Sequence, residues 1–316
     1  MPLLSVIIPT HKRADILKEC LHHLERQTIA DRIDVIVVSD GRDDKTVALF
    51  ANAAFRIPVR FFEIGKSQQG SARNEGLQHA QGTYVLFIGD DIFLAPDACE
   101  KHLESHERCE LSALDYEHQL KSHTAVRKAV LGFITWDPAV GITPVMTWLE
   151  QSGWQFGYLD LNIRHAAGAE PFIPHRLQHR YTYTSNISLP LDLAKQHLFR
   201  TDVHLYGWED IEWGMRLRNA GVRVFYEPDA KALHHHRITL EESLKRMEIL
   251  GRSAVEIQEK VSEFDRVPRG WKLFLYRIAA MLPTMAGRHR KAFLKGLRHV
   301  DAPATPRKAS STPRGT

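Results

Sequence analysis

The sequence predicts an α/β protein: a Rossmann-like, mostly parallel central sheet flanked by helices, with a helical extension at the C-terminus. Two observations predict it. Over the first hundred residues, short β-branched apolar runs alternate with stretches whose apolar residues recur at helical spacing. That is the pattern of βαβ units with right-handed crossovers. Moreover, three of these strands end in polar residues, Thr10-His11, Asp40 and Asp90-Asp91. Open sheets of this kind bind ligands at the carboxyl ends of their strands.

Taken in order, residues 3–9 (LLSVIIP) are apolar and β-branched and read as a buried strand. Thr10 to Arg13 is a polar turn. Residues 14–27 place Ile16, Leu17, Cys20, Leu21 and Leu24 on one helical face. Residues 34–39 are a second strand, followed by a helix over 46–54, a third strand over 59–63 and a helix over 71–80. Residues 84–88 form a fourth strand, which stops at Gly89, Asp90 and Asp91. Further on, 96–108 reads as helix and 125–136 as strand, while 146–149 and 156–161 fit either type. Residues 166–180 read as an irregular loop that could cover a substrate, 181–189 as a strand and 191–197 as a short helix. From Asp210 an amphipathic helix runs to Gly221, which ends it. A strand over 222–226 and the run Leu233 to His236 (LHHH) follow, then a charged helix over 239–260. A short hydrophobic helix from Trp271 breaks near Pro283 and leads into a basic segment. The last residues, 301–316, are rich in Pro, Ser, Thr and Ala and read as disordered.

Composition bounds the function. A chain of 316 residues can bury a full core. Its three cysteines, Cys20, Cys99 and Cys109, are odd in number and widely spaced, which fits a reducing compartment and no zinc motif. Residues 3–9 are too short for a signal peptide, and no apolar run approaches the ~20 residues of a transmembrane helix. A cytoplasmic location is expected. The net charge of +4 hides an asymmetry: 266–316 holds 12 Lys/Arg and one acid, leaving 30 Lys/Arg and 37 acids before it. The mildly acidic body is not that of a nucleic-acid-binding core. The basic tail suggests peripheral contact with the anionic inner face of a cell membrane through 266–300; packing on the domain with a basic outer face fits it almost as well.

Two adjacent carboxylates at the end of a buried strand are costly unless something positive sits beside them. Asp90-Asp91 therefore suggests a divalent-metal site holding a phosphorylated substrate, although an isolated Asp-Asp pair more often makes a solvated turn. Glu209 and Asp210 sit at a helix N-terminus, where the dipole favours carboxylates. The three consecutive histidines are a candidate ligand source. His102 and His106, spaced i, i+4, can bind metal, but without a third ligand nearby they read as surface or structural. The chain lacks a GxGxxG after the first strand and a GxxxxGK[ST] loop.

Several segments together resemble the inverting glycosyltransferase family 2, which has the GT-A fold. They are SVIIPTHKRADILKECLHHLERQT, VIVVSDG, GSARNEGLQHAQGTYVLFIGDD, TSNISL and GWEDIEWGMRLRNAG. The resemblance covers about residues 3–255. It implies a GT-A domain over 1–255, with a nucleotide-sugar-binding half (1–110) and an acceptor and catalytic half (125–255), followed by basic amphipathic helices over 256–300. It also implies transfer of one sugar from a nucleotide-diphosphate sugar to a glycan, glycolipid or other cell-surface precursor, as in polysaccharide biosynthesis. Mn²⁺ or Mg²⁺ would neutralise the leaving diphosphate. By the same resemblance Asp91 is the metal ligand and Asp90 meets the ribose or the ion. His234 completes the site, with His236 as the alternative; a histidine ligand favours Mn²⁺. Asp40 accepts from the base, Pro9, Thr10 and Arg13 line the nucleoside, and Arg73 meets the base or the diphosphate. Asp210 is the general base, Glu209 orients it or binds acceptor, and Asn186 and Trp208 lie on the acceptor side. Gly89 stands where the family often has a third acid, so Asp90 and Asp91 both stay open as principal ligand. No QxxRW follows the Glu-Asp pair, which argues against a processive synthase. Competing readings are a nucleotidyltransferase and a non-catalytic nucleotide- or glycan-binding protein on the same fold.

Overall fold

The computed structural model describes residues 2–108, 127–168, 172–203 and 206–298. The predicted alternation is present from the start. Strand β1 (Leu4–Thr10) leads into α1 (Ala14–Glu25), β2 (Ile33–Asp40) into α2 (Asp44–Asn52), and β3 (Val59–Ile64) into α3 (Gln69–His79), before β4 (Tyr84–Ile88). These four strands are mutually parallel. Every residue of β1 and β2 is buried, as expected of central strands covered on both faces. Asp34, the acid at the start of β2, accepts from the Ser5 hydroxyl at 2.6 Å and from Arg60 at 2.5 Å.

The remaining elements of this part are β5 (Ile92–Leu94), α4 (Ala98–Glu107), β6 (Lys128–Trp136), α5 (Pro144–Gln151), α6 (Tyr158–Ala166), β7 (Asn186–Pro190), α7 (Leu191–Gln196), α8 (Glu209–Asn219) and β8 (Arg223–His234). The described strands form one sheet in the order β3-β2-β1-β4-β7-β6-β8-β5. β7 runs antiparallel to both β4 and β6, and β8 runs parallel to β6. The carboxyl ends of β1, β2, β4, β6 and β8 therefore share one edge, together with the start of β7.

Three local readings change. The strand expected over 181–189 shortens to β7, because Thr182 turns its hydroxyl to the carbonyls of His179 and Asp210. The segment 222–226 and the start of the run at 233 join in the single strand β8, which ends at His234. Its register against β6 slips between Gly132 and Phe133, opposite Pro228, which has no N–H for the ladder. β5 is an additional three-residue strand, paired antiparallel with β8. The ambiguous segments near 146 and 156 are the helices α5 and α6.

A buried polar strap holds β7 in place. His102 on α4 meets Asn186 Oδ1 at 2.9 Å and Ser188 Oγ at 2.8 Å, and His106 reaches the same Ser188 oxygen at 2.8 Å. The Asn186 amide donates to the carbonyls of Phe133 and Ala230. Its Oδ1 must then accept, so His102 Nε2 carries the proton and Nδ1 accepts from Ser188.

The chain divides into two compact units, 1–243 and 244–316. The break falls inside α9 (Leu240–Lys260). The second unit contains the rest of α9, α10 (Gly270–Ala280) and α11 (Met285–Arg298). α9 and α11 meet at Gly251 and Gly296, whose α-carbons approach so closely that a Cβ on Gly251 would lie 2.3 Å from the Phe293 carbonyl oxygen. That contact makes the later turns of α9 part of the second unit. The segment 301–316, expected to be disordered, lies outside the described residues.

Candidate active site

The site is assembled at the shared sheet edge. β4 delivers Gly89, Asp90 and Asp91, and β8 delivers His234 to His236. The antiparallel pairing of Ile92 with His234 brings the two segments side by side, and the His235 N–H donates to the Asp91 carbonyl at 2.8 Å. Asp91 Oδ2 then lies 3.3 Å from His234 Nε2, 3.4 Å from His236 Nδ1 and 2.6 Å from Arg13 Nη2. One ligand atom from each of Asp91, His234 and His236 falls within 4.8 Å of the others. A carboxylate with two imidazoles is a donor set suited to a divalent transition ion.

Asp90 points elsewhere. It accepts from the Thr10 hydroxyl at 2.7 Å and lies 3.3 Å from Arg13. The two carboxylates titrate apart. Burial, only partly offset by Arg13, pushes Asp90 up to about 6, and the neighbouring Asp91 charge adds to the shift. Burial works against Asp91 too, but hydrogen bonds from His234 and His236 and the Arg13 charge outweigh it and hold Asp91 well below the usual carboxylate range.

The histidines are braced. His234 stacks on Trp136 at 5.1 Å between ring centroids and meets the Phe156 ring edge-on at 5.4 Å. His235 turns away to Asp137 Oδ2 at 2.6 Å and stacks on Phe93. The strand end that presents His234 and His236 is thus fixed on both sides.

At the next strand end, buried Asp40 accepts from Lys66 Nζ and from the Ser67 N–H, each at 2.6 Å. Arg73 on α3 is buried, and its Nε and Nη1 have no partner. Burial disfavours its charge, while the carboxylates of Glu209 and Asp210 favour it. An interior guanidinium with unused donors has room for an anion. Asp210 stands in the first turn of α8, where Oδ1 accepts the N–H of Ile211 at 2.8 Å. Thr182, just ahead of β7, ties the Asp210 carbonyl to the same sheet edge. The residue before the pair, Trp208, has a φ of 70°. A bulky side chain in the left-handed region is strained, and such strain collects at functional sites.

Residues 5–120 match the sequence profile described as Glycosyl transferase family 2. Through these residues the chain is similar to glycosyltransferase family 2. Two curated relatives are the uncharacterized glycosyltransferase EpsJ of Bacillus subtilis and validoxylamine A glucosyltransferase of Streptomyces hygroscopicus subsp. jinggangensis. EpsJ is 31% identical over 112 residues, covering 35% of this chain and 32% of EpsJ. The glucosyltransferase is 27% identical over 234 residues, covering 70% of this chain and 53% of the relative. The chain thus spans only a third to about half of these two lengths. The fold resembles that of the mannosyltransferase PcManGT from Pyrobaculum calidifontis, solved in complex with GDP-Man and Mn2+. The TM-score is 0.55 at 17% identity, over 96% of this chain and 76% of that one. The fold is GT-A.

The structure brings together Thr10, Arg13, Asp90, Asp91, His234 and His236, and separately Arg73 with Glu209 and Asp210. Between the two aspartates left open by the sequence, Asp91 is the one beside the imidazoles. Arg13, expected along the nucleoside, bridges the two aspartates. Asn186, expected on the acceptor side, is fully buried, with both ends of its amide spent in the strap. Pro9 is buried at the end of β1, while Trp208 is half-buried beside the Glu-Asp pair. The sequence reading missed Lys66 and Ser67, which follow the strand next to Asp40, and Trp136 and Asp137, which end the strand next to β8. Position at a strand end was the available signal.

Proposed function

We propose that the chain is a metal-dependent inverting glycosyltransferase that moves one sugar from a nucleotide-diphosphate sugar to an acceptor hydroxyl of a glycan or a membrane-presented, lipid-linked saccharide. The observation that carries this reading is the meeting of Asp91, His234 and His236 at the sheet edge that also holds Asp40 and Asp210. The three-residue group fits a divalent cation, Mn²⁺ ahead of Mg²⁺, because imidazole nitrogen suits the former. Such an ion, when bound, neutralises charge developing on the leaving diphosphate.

The chain's own residues supply the rest. Asp40, fixed by Lys66 and Ser67, keeps lone pairs for an N–H of the base. Pro9 and Thr10 line the nucleoside. Asp90, whose raised pKa suits hydrogen-bond donation as well as acceptance, faces the ribose. Arg73 turns its unused N–H groups to the diphosphate or the transferred sugar. Asp210 takes the acceptor hydroxyl proton as the oxygen attacks the anomeric carbon from the face opposite the diphosphate. The C–O bond to the diphosphate breaks, and its electron pair leaves with the nucleoside diphosphate. Glu209 orients the acceptor, and the Trp208 ring offers it an apolar face.

The test is release of nucleoside diphosphate from a panel of UDP-, GDP- and dTDP-sugars with Mn²⁺. Slow donor hydrolysis is expected with one class of donor, and Asp91→Ala should abolish it. Absence of donor binding with every metal would overturn the reading.

A further inference from the structure

The second unit carries a surface that the transfer chemistry leaves unused. α10 turns Trp271, Phe274, Leu275 and Ile278 outward, and Met281 and Leu282 continue the row beyond its last turn. These six side chains are between 42% and 77% exposed. Their spacing is that of one helical stripe. The other side of α10 faces α11: Tyr276 packs on Phe293 with ring centroids 6.0 Å apart and lies under the Arg290 guanidinium. No residue of α10 is buried. Contiguous exposed apolar surface of this kind marks a docking site.

The surrounding charge says what docks. Residues 266–298 contain nine Lys/Arg and no acid. Four of them, Arg288, Lys291, Lys295 and Arg298, are exposed at i, i+3, i+7 and i+10, one row along α11. Lys272 and Arg277 are exposed on α10 itself. An apolar stripe edged by cations complements an anionic lipid surface. The same face of a second copy would instead bring like charge against like. α10 has 11 residues, a length of about 16 Å, half of the ~30 Å hydrocarbon layer. Among the described residues no helix is long and apolar enough to cross a membrane.

We propose that α10 lies in the plane of an anionic bilayer with Trp271, Phe274, Leu275, Ile278, Met281 and Leu282 in the headgroup–acyl boundary, while the basic row of α11 meets the headgroups. This deepens the reading of a membrane-presented acceptor without depending on it.

The test uses the full chain and sedimentation with phosphatidylcholine vesicles, with and without phosphatidylglycerol. Binding only to the anionic vesicles is expected, weakening as salt rises. The emission of Trp271 should shift to the blue, a shift lost in Trp271→Phe. Phe274→Glu with Leu275→Glu should weaken binding at least about tenfold by removing apolar insertion. Arg288→Glu with Lys291→Glu should do the same by reversing charge. All four positions are exposed, so helix content and donor hydrolysis should stay at wild-type levels. Equal binding to neutral vesicles, no binding, or binding indifferent to Phe274→Glu with Leu275→Glu overturns the proposal. So does a dimer that this double variant dissociates in the absence of vesicle binding. Vesicle binding without donor hydrolysis would strike the transfer reading alone.

Discussion

Acid should loosen the strap that seats β7 against β4, and its cost can be worked from one histidine. His102 is fully buried, and burial pulls its pKa down from 6.5 to about 4, against a smaller opposing effect of the Asn186 hydrogen bond. The strap requires the neutral ring, since Nδ1 must accept from Ser188. In the unfolded chain His102 protonates as pH falls below 6.5; in the folded protein it does not until about 4. The unfolded state therefore binds the extra proton, and stability falls as pH falls through this window. At 1.36 kcal/mol per pH unit, the loss between pH 6.5 and 5 is about 2 kcal/mol. Asp90 acts in the opposite direction: raised to about 6, it takes up a proton in the folded state first and gains stability over part of the same window. A difference measurement removes it. Urea unfolding of wild type and His102→Gln, followed by tryptophan fluorescence, reports mainly the first unit, which holds five of the six tryptophans. The variant should be less stable at pH 8, because a buried hydroxyl loses its acceptor. Its deficit should shrink by about 2 kcal/mol between pH 6.5 and 5. A deficit that stays constant with pH would refute the neutral, strap-bound histidine.

Three other perturbations address the site and its frame. Asp210→Asn should lower turnover by about 10² to 10⁴, the usual range for a lost general base, with donor affinity by calorimetry unchanged; unchanged turnover would remove Asp210 from that role. Arg73→Met removes a buried cation with two idle nitrogens. Its melting temperature should equal or exceed wild type while donor turnover falls at least about tenfold, and a marked loss of stability would make Arg73 a structural residue instead. Gly132→Ala would place a Cβ 2.2 Å from Asn186 Nδ2 and 2.5 Å from the Ala230 carbonyl oxygen. It should cost about 1–3 kcal/mol or more in urea unfolding, and a neutral substitution would mean that β6 and β7 are not held this closely.

What the sequence determined by itself is what local pattern encodes. Apolar runs and helical spacing fix the type of β1 to β4 and α1 to α3, because burial of one face requires that periodicity whatever the neighbours are. The positions of Asp40, Asp90-Asp91 and Glu209-Asp210 at element ends were legible for the same reason. Tertiary structure decided who meets whom. Asp91 and His234 are 143 residues apart and touch because β5, a strand too short to show a period, sets the register of Ile92 against His234. The separate register of β6 on β8 places Trp136 against His234 and gives a core tryptophan the work of bracing a histidine. Asn186 looked like a site residue by sequence, yet strand order puts it between α4 and the irregular stretch of β8, where its amide satisfies buried carbonyls. Arg13 sits in a polar turn that names no partner, and the fold supplies two carboxylates. Side-chain partners follow from strand order and register, and those are set by packing of the whole chain rather than by any window of it.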